Sequence, residues 1–223
     1  MTEVDRRPNV RGVETRRRIL EAAVELASVE GVLGLTLGRL AEHLDLSKAA
    51  LLGHFESKDA LVLATIERAG QIFVDAVIAP ALSASEGLPR LVALSDAWLA
   101  YAAGSTFAGG CFFAAASAEL DGRPGPARDA VARAMRAWLD LLEGGVREAI
   151  AHGHLKKVDA AQLAFELQAL ELGANWARQL FGDHTATKRA HRAIRERLEA
   201  VMTPAGKRSI APRGGSPRRA KRA

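Results

Sequence analysis

Two short apolar-periodic segments joined by only two residues constrain this chain more than any other feature in it. Across 36–44, Leu37, Leu40, Ala41 and Leu44 recur at i, i+3, i+4 and i+7, which is one face of a helix. Thr36 stands in front as an N-cap. Asp45-Leu46 is the whole connection. Ser47 then caps a third helix predicted over 48–55, Glu56-Ser57 breaks it, and Ser57 caps a fourth that opens at Lys58. Such a pair is a helix-turn-helix candidate. In that motif the first helix braces the second, which must be narrow enough to enter a groove about 12 Å wide. Ser47-Lys48-Ala49-Ala50 is small and polar, while Leu46, Leu51 and Phe55 can face inward. A short capped pair also occurs in ordinary bundles, so a purely structural role is the competing reading.

The remaining pattern is helical throughout. A first helix over 14–29 carries Ile19, Ala22, Ala23 and Leu26 on one face, and Gly31 stops it. The fourth runs to Ala79, before Pro80. Further helices are predicted at about 88–103, 110–120, 126–152, 159–181 and 185–202, with Gly- and Pro-rich breakers between them. Alanine fills 44 positions and proline eight, so the fold class is all-α. The single cysteine, Cys111, excludes an internal disulfide framework and a multi-cysteine zinc site, and fits a reducing cytoplasm. No uncharged apolar run of about 18 residues occurs, so no transmembrane helix is expected. The charged residues 1–18 precede no apolar stretch of the kind a secretory signal needs.

The net charge of +5 divides unevenly. Residues 204–223 hold seven Lys or Arg and no acid, and 1–18 hold six Arg against three acids. The body between is mildly acidic. This predicts a flexible basic arm over 1–13 and a disordered basic tail over 204–223. Both can touch a polyanion, or serve only as solubilising ends.

From Thr36 through Leu61 the chain resembles the DNA-binding domain of TetR-family transcriptional regulators, and Thr15 through Ala23 resembles that family's first helix. The resemblance implies an amino-terminal three-helix DNA-binding domain over 14–57. A larger helical effector-binding and dimerisation domain follows over 58–203. It also implies roles. Thr36 contacts a phosphate, and Arg16 belongs to the basic set on the first helix. Ser47 and Lys48 stand at the groove entry, and Ala49 and Ala50 face bases, where a methyl can meet a thymine methyl. His54 touches phosphate, or is only a solvated surface histidine. Lys58 makes another phosphate contact beside free backbone N–H groups. The family commonly has Tyr at the position of Leu52 and an aromatic residue at that of Gly53. Two groove contacts are therefore missing here, which shifts weight to DNA shape or to the basic arm.

Ten of the 11 aromatic residues lie between Phe73 and Phe181, beside many alanines. Large rings among small residues can leave a cavity between helices, or can simply fill the core. Trp98, Tyr101, Phe113 and Trp138 are the expected effector-binding residues. A seam of Leu163, Leu167, Leu170, Ala174 and Ala177, with Ile194, Leu198 and Val201, is the expected homodimer interface by resemblance. Packing within one chain satisfies the same seam.

Catalytic signatures are missing: the chain has no phosphate loop, no G-x-S-x-G and no H-E-x-x-H. His152-Gly153-His154 reads as a surface loop rather than a metal site, Cys111 as a buried thiol, and the acid pairs Glu119-Asp121 and Glu166-Glu171 as solvated faces. No catalytic residue, metal or cofactor is expected. The predicted function is a cytoplasmic, homodimeric, ligand-responsive repressor that binds a palindromic operator in double-stranded DNA and is released by a small-molecule effector. A helical enzyme or small-molecule carrier is the alternative.

Overall fold

A computed structural model describes residues 10–211; the arm before Val10 and the tail after Ala211 lie outside the described residues. The elements are α1 (Val10–Glu30), α2 (Leu37–Leu44), α3 (Lys48–Leu52), α4 (Lys58–Phe73), α5 (Ala79–Ala81), α6 (Leu88–Ala100), α7 (Phe112–Leu120), α8 (Pro126–Ala151), α9 (Ala160–Phe181), α10 (Ala186–Val201) and α11 (Pro204–Ser209). A π-helical turn, Val74–Ile78, joins α4 to α5, and a second, Tyr101–Ser105, ends α6. Among the described residues there is no strand, only a single antiparallel bridge between Leu155 and Met202.

The caps form as local chemistry dictates. Oγ1 of Thr36 accepts the Arg39 N–H, and the Ser47 and Ser57 hydroxyl oxygens accept the Ala50 and Ala60 N–H groups. Asp45, in the left-handed region at φ 52°, closes α2 by returning its N–H toward that helix's carbonyls. Three departures concern length. Helix α1 opens at Val10 rather than at 14, so residues 10–13 of the expected arm are helical. Helix α3 stops at Leu52, with Gly53 as its cap in ordinary helical φ/ψ, so this glycine is not inside a helix as the 48–55 prediction had it. Residues 204–209, expected to be disordered, form α11: Thr203 caps it through Gly206 N–H, and Pro204 takes a first-turn position where no N–H is needed.

The interior divides into two cores. The smaller packs Ile19 and Ala23 of α1 with Leu40, Leu51, Phe55 and Leu61. The larger runs through α4 and α6–α10 and includes Val24 and Ala27 of α1 and Val62 and Ile66 of α4. Helices α1 and α4 therefore belong to both cores. The expected boundary at 57/58 falls at the start of a helix that ties the two units together.

Candidate functional site

The small core leaves one side of α3 bare. Leu51 and Phe55 are buried, whereas Ser47, Lys48, Ala49, Ala50, Leu52 and Gly53 are exposed. Thr36 and Lys58 are exposed at the starts of α2 and α4, and His54 is half-buried. Arg16 reaches from α1: its Nη1 donates to the His54 carbonyl at 2.6 Å, and its guanidinium lies 4.3 Å from the Phe55 ring centroid. Lys58 Nζ donates to the Leu33 carbonyl at 3.3 Å. The ten residues expected to meet DNA are thus accessible or half-accessible, gathered on and around the short helix α3, which is backed by a packed core.

A second feature lies within the larger core. A cavity of about 480 Å³ opens between α4, α7, α8 and α9. Trp98, Phe113 and Trp138 line it. Tyr101 does not; it is buried beside Phe73 and Phe107, with ring centroids 5.4 and 6.0 Å away. Phe73, absent from the expected set, is the hub: it meets the rings of Tyr101, Phe113 and Trp138 edge-on. Gly70, one turn before it, faces Phe113, and a Cβ there would lie in ordinary contact with the ring at 3.9 Å. Cys111 also lines the cavity, and burial pushes its thiol up to about 11, which keeps it protonated.

Two acids expected on solvated faces are elsewhere. Glu171 is fully buried and accepts the Trp138 indole N–H at 3.1 Å. Burial pushes its carboxyl up to about 8, offset in part by the Trp138 hydrogen bond and the nearby Ser95 hydroxyl. Glu119, near the end of α7, accepts the backbone N–H groups of Val32 and Leu33 at 2.6 and 3.0 Å. It thereby holds the loop between α1 and α2. Gly109 sits against α1 so closely that a Cβ there would lie 1.8 Å from the Ser28 carbonyl oxygen. Glu166 faces Arg197 and Gln162 near the surface. His154 Nδ1 accepts the Leu88 N–H, and His152 stacks on its ring. Among the described residues no three potential metal ligands cluster.

The expected dimer seam faces inward. Leu163, Leu167 and Leu198 are 0% exposed, and Ala174, Ile194 and Val201 are buried; Leu170 and Ala177 are half-buried against the same core. Most of these side chains are spent on packing α9 against α8 and α10 within one chain. Helix α9 shows a different apolar face: Phe165, Trp176, Leu180 and Phe181 are 56–65% exposed.

Family comparisons decide what this pairing of features belongs to. Residues 19–65 match the model described as bacterial regulatory proteins, tetR family, and residues 87–194 match the tetracyclin repressor-like C-terminal domain. The chain belongs to the TetR family of transcriptional regulators. It is similar in fold to a TetR transcriptional regulator from Chloroflexus aurantiacus, at TM-score 0.80 and 24% identity over 86% of this chain and 98% of that one. A TetR-family regulator from Cytophaga hutchinsonii follows at TM-score 0.78 and 21% identity, over 88% and 99%. A Saccharomonospora viridis protein solved in complex with choline has TM-score 0.71 and 23% identity, over 86% and 99%. No curated relative matches the chain. As a TetR-family member the protein is a DNA-binding regulator of transcription, not an enzyme, and the enzyme reading of the helix pair falls. No described helix is long and apolar enough to cross a membrane.

Proposed function

We propose that the protein is a repressor that binds a palindromic operator as a homodimer and leaves it when a small molecule fills the α4–α9 cavity. One observation carries this reading: the helices that wall the cavity are the helices that hold the DNA-binding unit. Helix α4 places Leu61 in the small core and Phe73 at the cavity. Helix α7 places Phe113 at the cavity and, two turns on, Glu119 on the loop that leads to Thr36. A ligand that displaces either helix moves α2 and α3 with it. DNA and ligand then oppose each other by linkage, each weakening the other by the same factor. The cavity has the size of a small-molecule site, and choline in the Saccharomonospora viridis protein supports a small-molecule ligand for this fold.

Residues 36–58 of each subunit form the reading head. Ser47, Lys48, Ala49 and Ala50 enter the major groove, while Arg16, Thr36, His54 and Lys58 hold phosphates. Leu52 and Gly53 add shape contact only. The exposed face of α9, with Phe165 and Trp176, is the dimer contact, in place of the buried seam. An apolar patch of this kind marks an interaction surface.

Titrating Lys48→Ala against a specific duplex at several salt concentrations tests the head. Affinity should fall and the salt slope shrink by about one for the lost contact. Unchanged affinity and slope would remove Lys48 from the interface.

A further inference from the structure

From the groups around the cavity mouth, we infer that its ligand is a lipophilic cation, a compact organic cation with apolar substituents. This rests on the effector reading above and names the chemistry of the effector.

Charge supplies the first argument. Glu67 and Asp75 line the mouth and are exposed. Among the described residues neither forms an ion pair, and no Lys, Arg or His lines the cavity. An anion entering here would meet two uncompensated carboxylates and no cationic partner. The potential of a recess bounded by one sign of charge is focused by its low-dielectric walls, so the entrance attracts cations.

The backbone supplies the second. Glu67 and Gln71 stand on α4, and the π-helical turn that follows carries Val74, Asp75 and Ile78 to the same cavity. A π turn inserts an extra residue into a helix and is often found at functional sites. Here it keeps Asp75 at the mouth together with its apolar neighbours.

The rings supply the third. Phe73, Trp98, Phe113 and Trp138 line the interior. An aromatic face attracts a cation, and does so most strongly where water is excluded. The Trp138 N–H is already engaged by Glu171, so what that indole has left to offer a ligand is its π-system. Apart from Gln71 and Gln168, the remaining side chains of the wall are apolar, and these suit hydrocarbon substituents better than a hydrated amine.

Tetraphenylphosphonium and tetraphenylborate, nearly identical in size and shape and opposite in charge, test the inference on the intact chain. Binding is followed through tryptophan fluorescence, since Trp98 and Trp138 line the site, and by calorimetry. The cation should bind saturably and at least tenfold more tightly than the anion. The E67Q/D75N double variant changes only exposed side chains and should weaken the cation by about threefold to tenfold while leaving the anion unchanged or stronger. Equal binding of both ions, or cation affinity unmoved in the double variant, overturns the assignment. The same preparation is also titrated with a specific duplex. Retained DNA binding without any cation binding overturns this inference and leaves the regulator reading standing; loss of both, in folded protein, overturns both.

Discussion

Replacing Glu171 with Gln should make the protein more stable, and by an amount that depends on pH. The carboxyl is fully buried on α9, with its ordinary value of 4.5 pushed to about 8. The folded chain therefore keeps a proton that the unfolded chain releases above about pH 4.5. Between those values unfolding releases a proton, so stability falls as pH rises, by about 1.4 kcal/mol per unit. Above about pH 8 both states are ionised and the penalty levels off. Glutamine keeps an oxygen for the Trp138 N–H and carries no titrating proton. The gap in stability between Glu171→Gln and the parent should then widen by about 4 kcal/mol from pH 5 to pH 8, or roughly 10 °C in Tm for a chain of this size. Urea unfolding of both proteins in matched buffers measures it. Every other ionisable side chain is common to both proteins and cancels in the difference. Parallel pH profiles would show that Glu171 is not a buried, protonated acid and would refute the argument.

Other consequences follow from the contacts between the two units and from α9. Glu119→Ala leaves the Val32 and Leu33 N–H groups without their acceptor, which should cost about 2–4 kcal/mol and appear as a Tm lower by roughly 5–15 °C; an unchanged Tm would mean the loop is not held from α7. Gly109→Ala drives a methyl into the Ser28 carbonyl and should destabilise by about 3 kcal/mol or more, with hydrogen exchange rising at the end of α1; full stability would place that turn elsewhere. Phe165→Glu with Trp176→Glu should yield a folded monomer by light scattering, whereas a persistent dimer would assign the interface to another surface.

Much of the fold was legible in the sequence because it is written locally. The caps at Thr36, Ser47 and Ser57 act within three residues, and each forms the expected bond. α11 carried the same kind of signal, Thr203 with Pro204 in the first turn, but the basic composition around it pointed to disorder. The residues expected to face DNA are accessible because a helix with small polar residues at its start has nothing to bury there. What sequence could not give was direction in space. The seam of α9 shows helical periodicity, but periodicity does not say whether the stripe meets the same chain or another one. The exposed stripe through Phe165 and Trp176 could be separated from it only by the packing of α8 and α10. Three of four expected cavity rings line the space, while Tyr101 stands one layer behind, because layers depend on helix rotation. Phe73 was missed for the same reason. Glu119 and Glu171 were read as solvated because acids usually are; their partners, Val32, Leu33 and Trp138, are distant in sequence.

The central claim is that two copies of the α2–α3 head read a symmetric DNA site. Selection of ligand-free protein against a pool of random duplexes at about 150 mM salt, where nonspecific binding is weak, tests it most directly. The account predicts enrichment of a two-fold symmetric sequence with its half-sites about one helical turn or more apart. Folded, dimeric protein that enriches no sequence, or only an asymmetric one, would contradict it.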